Sequence, residues 1–206
     1  DITLGLSDQG KWRFIWRIPS ATDQPEMFYS LRMLDYFFES GVRREEVSQV
    51  VMSSVVPELT NKIIHVTTSL FEKSPVVLGP EIYPNLPIQV MNPYEIGSDL
   101  VSNALAAFTF FRDRCVVVDF GTALTFTTIS AEGEILGVKT AIRSLSQNTA
   151  QLFDVPLEMP ASALGRGTVH AIQAGVLFGY EGMVRHMLER IKSELNEPSL
   201  RSVATG

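Results

Sequence analysis

The sequence predicts an α/β fold built of two similar halves. The strongest sign is the run Val116-Val117-Val118, three β-branched residues that suit a strand covered on both faces. It leads into Asp119-Phe120-Gly121-Thr122 and a hydroxyl-rich second strand ending at Ile129, then a turn at Ala131-Glu132-Gly133 and a return along Glu134-Ile135-Leu136. A fainter copy opens the chain: residues 2–6, a turn at Ser7-Asp8-Gln9-Gly10, and residues 12–18. There Trp12, Phe14, Trp16 and Ile18 alternate with Lys11, Arg13 and Arg17, and Ile15 alone breaks the period. The third sign is the alternation of short apolar runs with helical periods along the rest of the chain. The second half has an apolar strand and an acidic loop ahead of its hairpin, whereas the first begins inside its hairpin, so residues ahead of Asp1 are expected.

The elements follow in order. Asp23-Gln24-Pro25-Glu26 offers a cap residue, a first-turn proline and an acid three residues after the cap, which predicts a helix start. Met27, Leu31, Leu34 and Phe38 give that helix an apolar face, and Gly41 stops it. A strand near 49–55, a helix over 57–72 and short strands near 76–78 and 88–90 come next. A helix is expected from Asp99 to about Phe111 after the loop 92–98, and a closing helix over 169–195 with Val184, Met187, Leu188, Ile191 and Leu195 on one face. Residues 199–206 read as a strand running into a glycine. No low-complexity linker separates the halves, and the best boundary lies near Phe110, giving domains 1–110 and 111–206.

At 206 residues, with 45% apolar and 19% charged residues, the chain is long enough for a sizeable core. A net charge of −6 without a basic stripe argues against nucleic acid as partner. The single cysteine, Cys115, excludes a disulfide framework and points to the cytoplasm; its own reading is a small buried hydrophobe. No signal peptide is visible and no apolar run spans a bilayer. His65, His170 and His186 lie far apart without metal-ligand spacing, which argues against zinc.

Three constellations carry chemistry. At the central hairpin Gly121 lets backbone approach a ligand and Asp119 offers a hard oxygen to a cation, although an acid–glycine strand end is also an ordinary turn. Tyr94-Glu95-Ile96-Gly97-Ser98-Asp99 places a carboxylate where a glycine loop becomes a helix, either facing a ligand or serving as a cap. Gly165-Arg166-Gly167-Thr168 leads into the last helix, with N–H groups and a hydroxyl that suit an anion or simply form a glycine loop.

Together these pieces resemble the type III pantothenate kinases of the actin-like kinase superfamily. The resemblance covers nearly the whole chain and rests on Tyr94 with Gly97-Ser98-Asp99, on Asp119-Phe120-Gly121-Thr122, on Asn148-Thr149-Ala150-Gln151-Leu152, and on Gly165 to Thr168 ahead of Ala171-Ile172-Gln173-Ala174-Gly175. Ser53-Ser54-Val55-Val56-Pro57 also looks like the family's strand-to-helix corner. The resemblance implies two ribonuclease-H-like domains with a cleft between them, and ATP-dependent phosphorylation of the primary hydroxyl of pantothenate, the first step toward coenzyme A. It implies Asp99 as general base; Tyr94, Gly97, Ser98, Asp99, Leu100 and Thr168 around pantothenate; Asp1, Ile2, Thr3, Gly121 and Thr122 at ATP; and Asp119 at a monovalent cation, K+ or NH4+. Mg2+ accompanies ATP, and the family forms homodimers; Phe108, Phe110 and Phe111 exceed what one helix face buries inside, so either part of that helix packs at a subunit interface or all three rings fill the core between the halves.

Three departures stand beside the resemblance. The family's Asp-x-Gly-Asn-Thr phosphate loop is absent before Asp1, and its Gly-x-Ile-x-Pro-Gly segment is absent where Gly137 meets Val138; both are expected as stretches omitted from this sequence. Leu100 stands where the family usually has arginine and makes no charged contact to pantothenate or phosphate. Leu100 also supports the competing reading, a catalytically impaired nucleotide-binding regulatory protein on the same fold. A kinase of another acceptor explains the motifs less well.

Overall fold

The computed structural model describes residues 1–121, 123–143, 158–165 and 167–206, so the expectations for Thr122, Arg166 and the motif at 148–152 lie outside the described residues. Helices and strands mix along the chain, as the punctuation predicts, and fall into two compact units. One comprises Asp1–Asn85 with Asn92–Ser102, the other Leu86–Met91 with Asn103–Gly206.

In the first unit β1 (Ile2–Asp8) and β2 (Lys11–Ile18) pair antiparallel, from Ile2 opposite Ile18 to Asp8 opposite Lys11. The turn is shorter than expected: Gln9 and Gly10, both at positive φ (49° and 77°), close it, as the twist of a two-residue hairpin demands. The strand continues past Leu6 through a bulge. Phe14, Trp16 and Ile18 point inward, and Ile15, which breaks the sequence period, lies on the outer face at 61% exposure. Trp12 is also exposed, its ring laid across Gly5, where a Cβ would stand 2.4 Å from it.

Helix α1 (Glu26–Ser40) corrects two expectations. Its cap is Pro25 and no side chain caps it, so Asp23 lies outside the helix; and its buried residues are Tyr29 and Met33, while Met27, Leu31 and Phe38 of the expected apolar face are exposed. The Tyr29 hydroxyl donates to the Ala21 carbonyl at 2.5 Å, which fixes that face inward and leaves the other stripe outside. Gly41 does end the helix, at φ 68°. Helix α2 (Pro57–Phe71) begins on its proline and stops at Glu72, in the left-handed region at φ 55°. Its Leu59, Ile63 and Val66 pack with Ile18, Tyr29 and Met33. Strands β3 (Val51–Met52) and β4 (Val76–Val77) pair in parallel; β3 is much shorter than the run at 49–55 that predicts it, and β4 falls within the expected 76–78. The strand expected near 88–90 is reduced to a single bridge from Gln89 to Glu134 in the second unit.

Helix α3 (Ser98–Phe111) has its first residues in the first unit and the remainder in the second. The second unit is a four-stranded sheet in the order β7-β6-β5-β8. Its strands are β5 (Cys115–Phe120), β6 (Ala123–Ile129), β7 (Ile135–Arg143) and β8 (Arg201–Thr205), with β5 and β8 parallel and the other neighbours antiparallel. The apolar run of β5 lies between two strands and is buried. Val116, Val118, Leu124 and Phe126 turn one face of the sheet to α4 (Thr168–Glu194), where Val184, Met187, Leu188 and Ile191 meet them. Alternation therefore sends Val117, Asp119, Thr125 and Thr127 to the opposite face. Gly137 and Val138 are consecutive in β7, opposite Thr128 and Thr127.

Candidate functional site

The first cluster forms at the start of α3. Gly97 precedes the helix without a Cβ, and an added Cβ would stand 2.4 Å from Asp99 Oδ1; glycine is what lets that carboxylate fold back toward the chain. Asp99 Oδ1 accepts the Leu100 N–H at 2.9 Å. Asp99 thus lies inside the first turn, where the helix dipole favours an anion, and its side chain is exposed. Beneath it Ser98, 7% exposed, donates to the Ser54 carbonyl at 3.2 Å and accepts from Ser53 Oγ at 2.9 Å, so the corner at 53–57 and the corner at 97–99 are bonded together. Tyr83 is buried nearby: burial first, then the negative charge of Asp99, push its phenol above the ordinary value. Tyr94 is exposed and Leu100 half-buried.

The second cluster closes β5. Asp119 Oδ2 accepts from Asn103 Nδ2 of α3 at 3.1 Å. A Cβ placed on Gly121 would lie 3.6 Å from Asp119 Oδ1 and 3.7 Å from the Ala123 carbonyl oxygen. The bare glycine leaves a cradle beside two hard oxygens, a donor set that suits a hard cation. Among the described residues no group of three or more His, Cys, Asp or Glu stands ready for a metal.

The glycine loop before α4 is held by close backbone approach, because a Cβ on Gly165 would fall 2.5 Å from Ala171 N and Cα. Thr168 opens the helix and is exposed. Asp1 and Thr3 are exposed, while Ile2 is half-buried against the first core. Tyr94, Gly97, Ser98, Asp99, Leu100 and residues 1–3 belong to the first unit; Asp119, Gly121 and Thr168 belong to the second. A cavity of about 590 Å³ in the first unit, lined by Leu4, Leu6, Tyr36, Phe37, Val51 and Phe71 among others, includes Thr3 alone of the expected site residues. Of the three phenylalanines on α3, Phe110 is exposed, with Phe111 edge-on to it at 5.0 Å, and Phe108 lies against the Gly133 turn.

The family model for type III pantothenate kinase matches residues 1–190. The chain belongs to the type III pantothenate kinase family. Among relatives carrying that name, one from Treponema pallidum (strain Nichols) is 42% identical over 89% of this chain and 70% of its own length. One from Anaeromyxobacter sp. (strain K) is 37% identical over 99% and 82%, and one from Dehalococcoides mccartyi 33% identical over 100% and 81%.

Sequence reasoning missed Ser53, Tyr83 and Asn103 as members of these clusters. Asn103 carried a signal, an amide one turn after Asp99 on the same helix. Tyr83 carried none, since it opens a 3-10 turn of three residues, too short for a period to assign a face.

Proposed function

We propose that this chain transfers the γ-phosphoryl group of ATP to the primary hydroxyl of pantothenate, giving 4′-phosphopantothenate, the first step of coenzyme A synthesis. The observation that carries the reading is family membership across residues 1–190. The competing regulatory reading gains nothing from the comparisons, since the relatives described above carry the kinase name.

In this mechanism Asp99 accepts the proton of the attacking hydroxyl. Its exposed carboxylate is held by the Leu100 N–H, on a helix start that the half-buried Ser53–Ser98 hydrogen bond ties to the corner at 53–57, so it is aimed before substrate arrives. Phosphoryl transfer depends mostly on positioning and charge neutralisation, so a braced carboxylate is worth more than a mobile one. Tyr94, Gly97, Ser98 and Thr168 line the pantothenate site, where Leu100 adds apolar contact in place of the family's charge. Asp1, Ile2, Thr3, Gly121 and Thr122 take the nucleotide. Asp119 holds a monovalent cation, K+ or NH4+, and Mg2+ bound with ATP neutralises charge on the phosphates.

The proposed architecture is two ribonuclease-H-like domains, 1–110 and 111–206, acting as a homodimer in the cytoplasm. The exposed Phe110 supports the dimer, the single buried cysteine supports the compartment, and among the described residues no helix is long and apolar enough to cross a membrane. A coupled assay with ATP and pantothenate tests the reading. Asp99→Asn is expected to keep the fold and lower kcat by roughly 100-fold or more, the scale of a lost general base; wild-type turnover in that variant would remove Asp99 from the reaction.

A further inference from the structure

β5 and β6 place one more oxygen beside Asp119. The two strands pair so that Asp119 stands directly opposite Thr125, and directly opposed residues carry their side chains on the same face with Cβ atoms about 4.5–5.5 Å apart. That face is the one turned away from α4, because Val116, Val118, Leu124 and Phe126 occupy the other. Thr125 is 8% exposed, and its Oγ1 is buried without a hydrogen-bond partner among the described residues. A hydroxyl buried unpaired carries a free-energy penalty that valine, of nearly the same shape, would avoid. Its persistence beside a carboxylate is explained if a ligand completes it.

Asn103 supplies the second half of the argument. Its amide donates to Asp119 Oδ2 at 3.1 Å and fixes that oxygen with a donor that carries no charge of its own. Asp119 Oδ1 is the oxygen near Gly121 and the Ala123 carbonyl. Resting on the cation assignment of the proposed function, we infer that Thr125 Oγ1 is a second side-chain ligand of the monovalent cation at Asp119, and that Asn103 is the positioning residue that holds this carboxylate. The cation then meets oxygens of the carboxylate, hydroxyl and carbonyl types, the set a weakly hydrated, hard monovalent ion accepts.

The test follows thermal unfolding of the full chain as KCl replaces choline chloride at constant ionic strength, beside the K+ dependence of pantothenate phosphorylation. Thr125→Val is expected to unfold at the wild-type temperature or above it without K+, and to need roughly 10–100-fold more K+ for half its stabilisation. Thr125→Ser, which restores the oxygen, is expected to return toward the wild-type value. Asn103→Leu is expected to raise the K+ requirement while kcat at saturating K+ is kept. A Thr125→Val protein with the wild-type K+ midpoint overturns the inference, and so does one that unfolds far earlier without K+, since the hydroxyl would then be structural. If the wild type phosphorylates pantothenate but ignores K+, the cation assignment falls and the inference with it, leaving the kinase reading intact; if it does neither, the kinase reading itself fails.

Discussion

β1–β2 and β5–β6 are both antiparallel hairpins whose first strand reaches an aspartate near its end, yet the two acids live in different surroundings. Asp8 lies opposite Lys11 and 3.8 Å from Arg13, with both side chains of that ion pair at least half exposed. Asp119 lies opposite a buried threonine and accepts a hydrogen bond from a neutral amide. The first arrangement is an ordinary surface pair, worth about 0–1 kcal/mol. The second restrains a carboxylate through a donor that carries no charge of its own. The strands differ in the same sense: β2 alternates, with its outer face in water, whereas Cys115 to Val118 of β5, which runs between β6 and β8, are at most 3% exposed. Position in a hairpin does not decide an acid's role; its neighbours across the ladder do.

The largest expected effect breaks or upholds the contrast between the acids. Asp119→Ala should abolish K+ stimulation of the kinase, and Asp8→Ala should leave it unchanged. Stimulation that survives in Asp119→Ala would put the cation elsewhere. The next contrast concerns the strands. Val118→Ala, inside the second sheet, should cost about 2 kcal/mol in urea unfolding, and Ile15→Ala, on the open face of the first hairpin, less than about 0.5 kcal/mol. Equal costs would mean that burial does not separate the hairpins.

The smallest effect extends the comparison to Asp99. Tyr83 titrates above the ordinary phenol value of 10.0, first because it is buried and second because Asp99 is negative. The native state keeps a proton that the unfolded chain releases, so this contribution to stability is intact below about pH 10 and is lost as pH rises through the raised value. Asp99→Asn removes the second cause, and tyrosinate absorbance should then show Tyr83 titrating at lower pH than in the wild type. An unchanged titration would show that the Asp99 charge does not reach the phenol.

Much of this was legible because strands and helices carry periods. The unbroken Val116-Val117-Val118 run announced a strand with neighbours on both sides, and the spacing of Val184, Met187, Leu188 and Ile191 announced the face of α4 that covers it. Helix α1 was misread because an amphipathic period marks an apolar face but not whether anything covers it; the burial of Tyr29, bonded to Ala21, set the rotation instead. The cap at Asp23 failed for a related reason, since several residues near a helix start have cap chemistry and backbone geometry chooses among them. The acids themselves were legible as glycine-flanked carboxylates at element ends. Tyr83 and Asn103 lie on other elements than the acids they reach, and Thr125 faces Asp119 across a hairpin whose register the sequence leaves open.

Cys115 begins β5, paired with Ile129 on one side and Arg201 on the other, fully buried, and burial chiefly pushes its thiol up to about 11. Thiolate is the reactive form, so the folded chain is silent toward alkylating reagents. As the one cysteine in the sequence, it turns labelling into a clock: each modified molecule records an occasion on which the central sheet came apart. Ligands that bind only the closed sheet slow that clock by the factor 1 + [L]/Kd, so the occupancy of a site can be counted from the silence of a sulfur that never touches it.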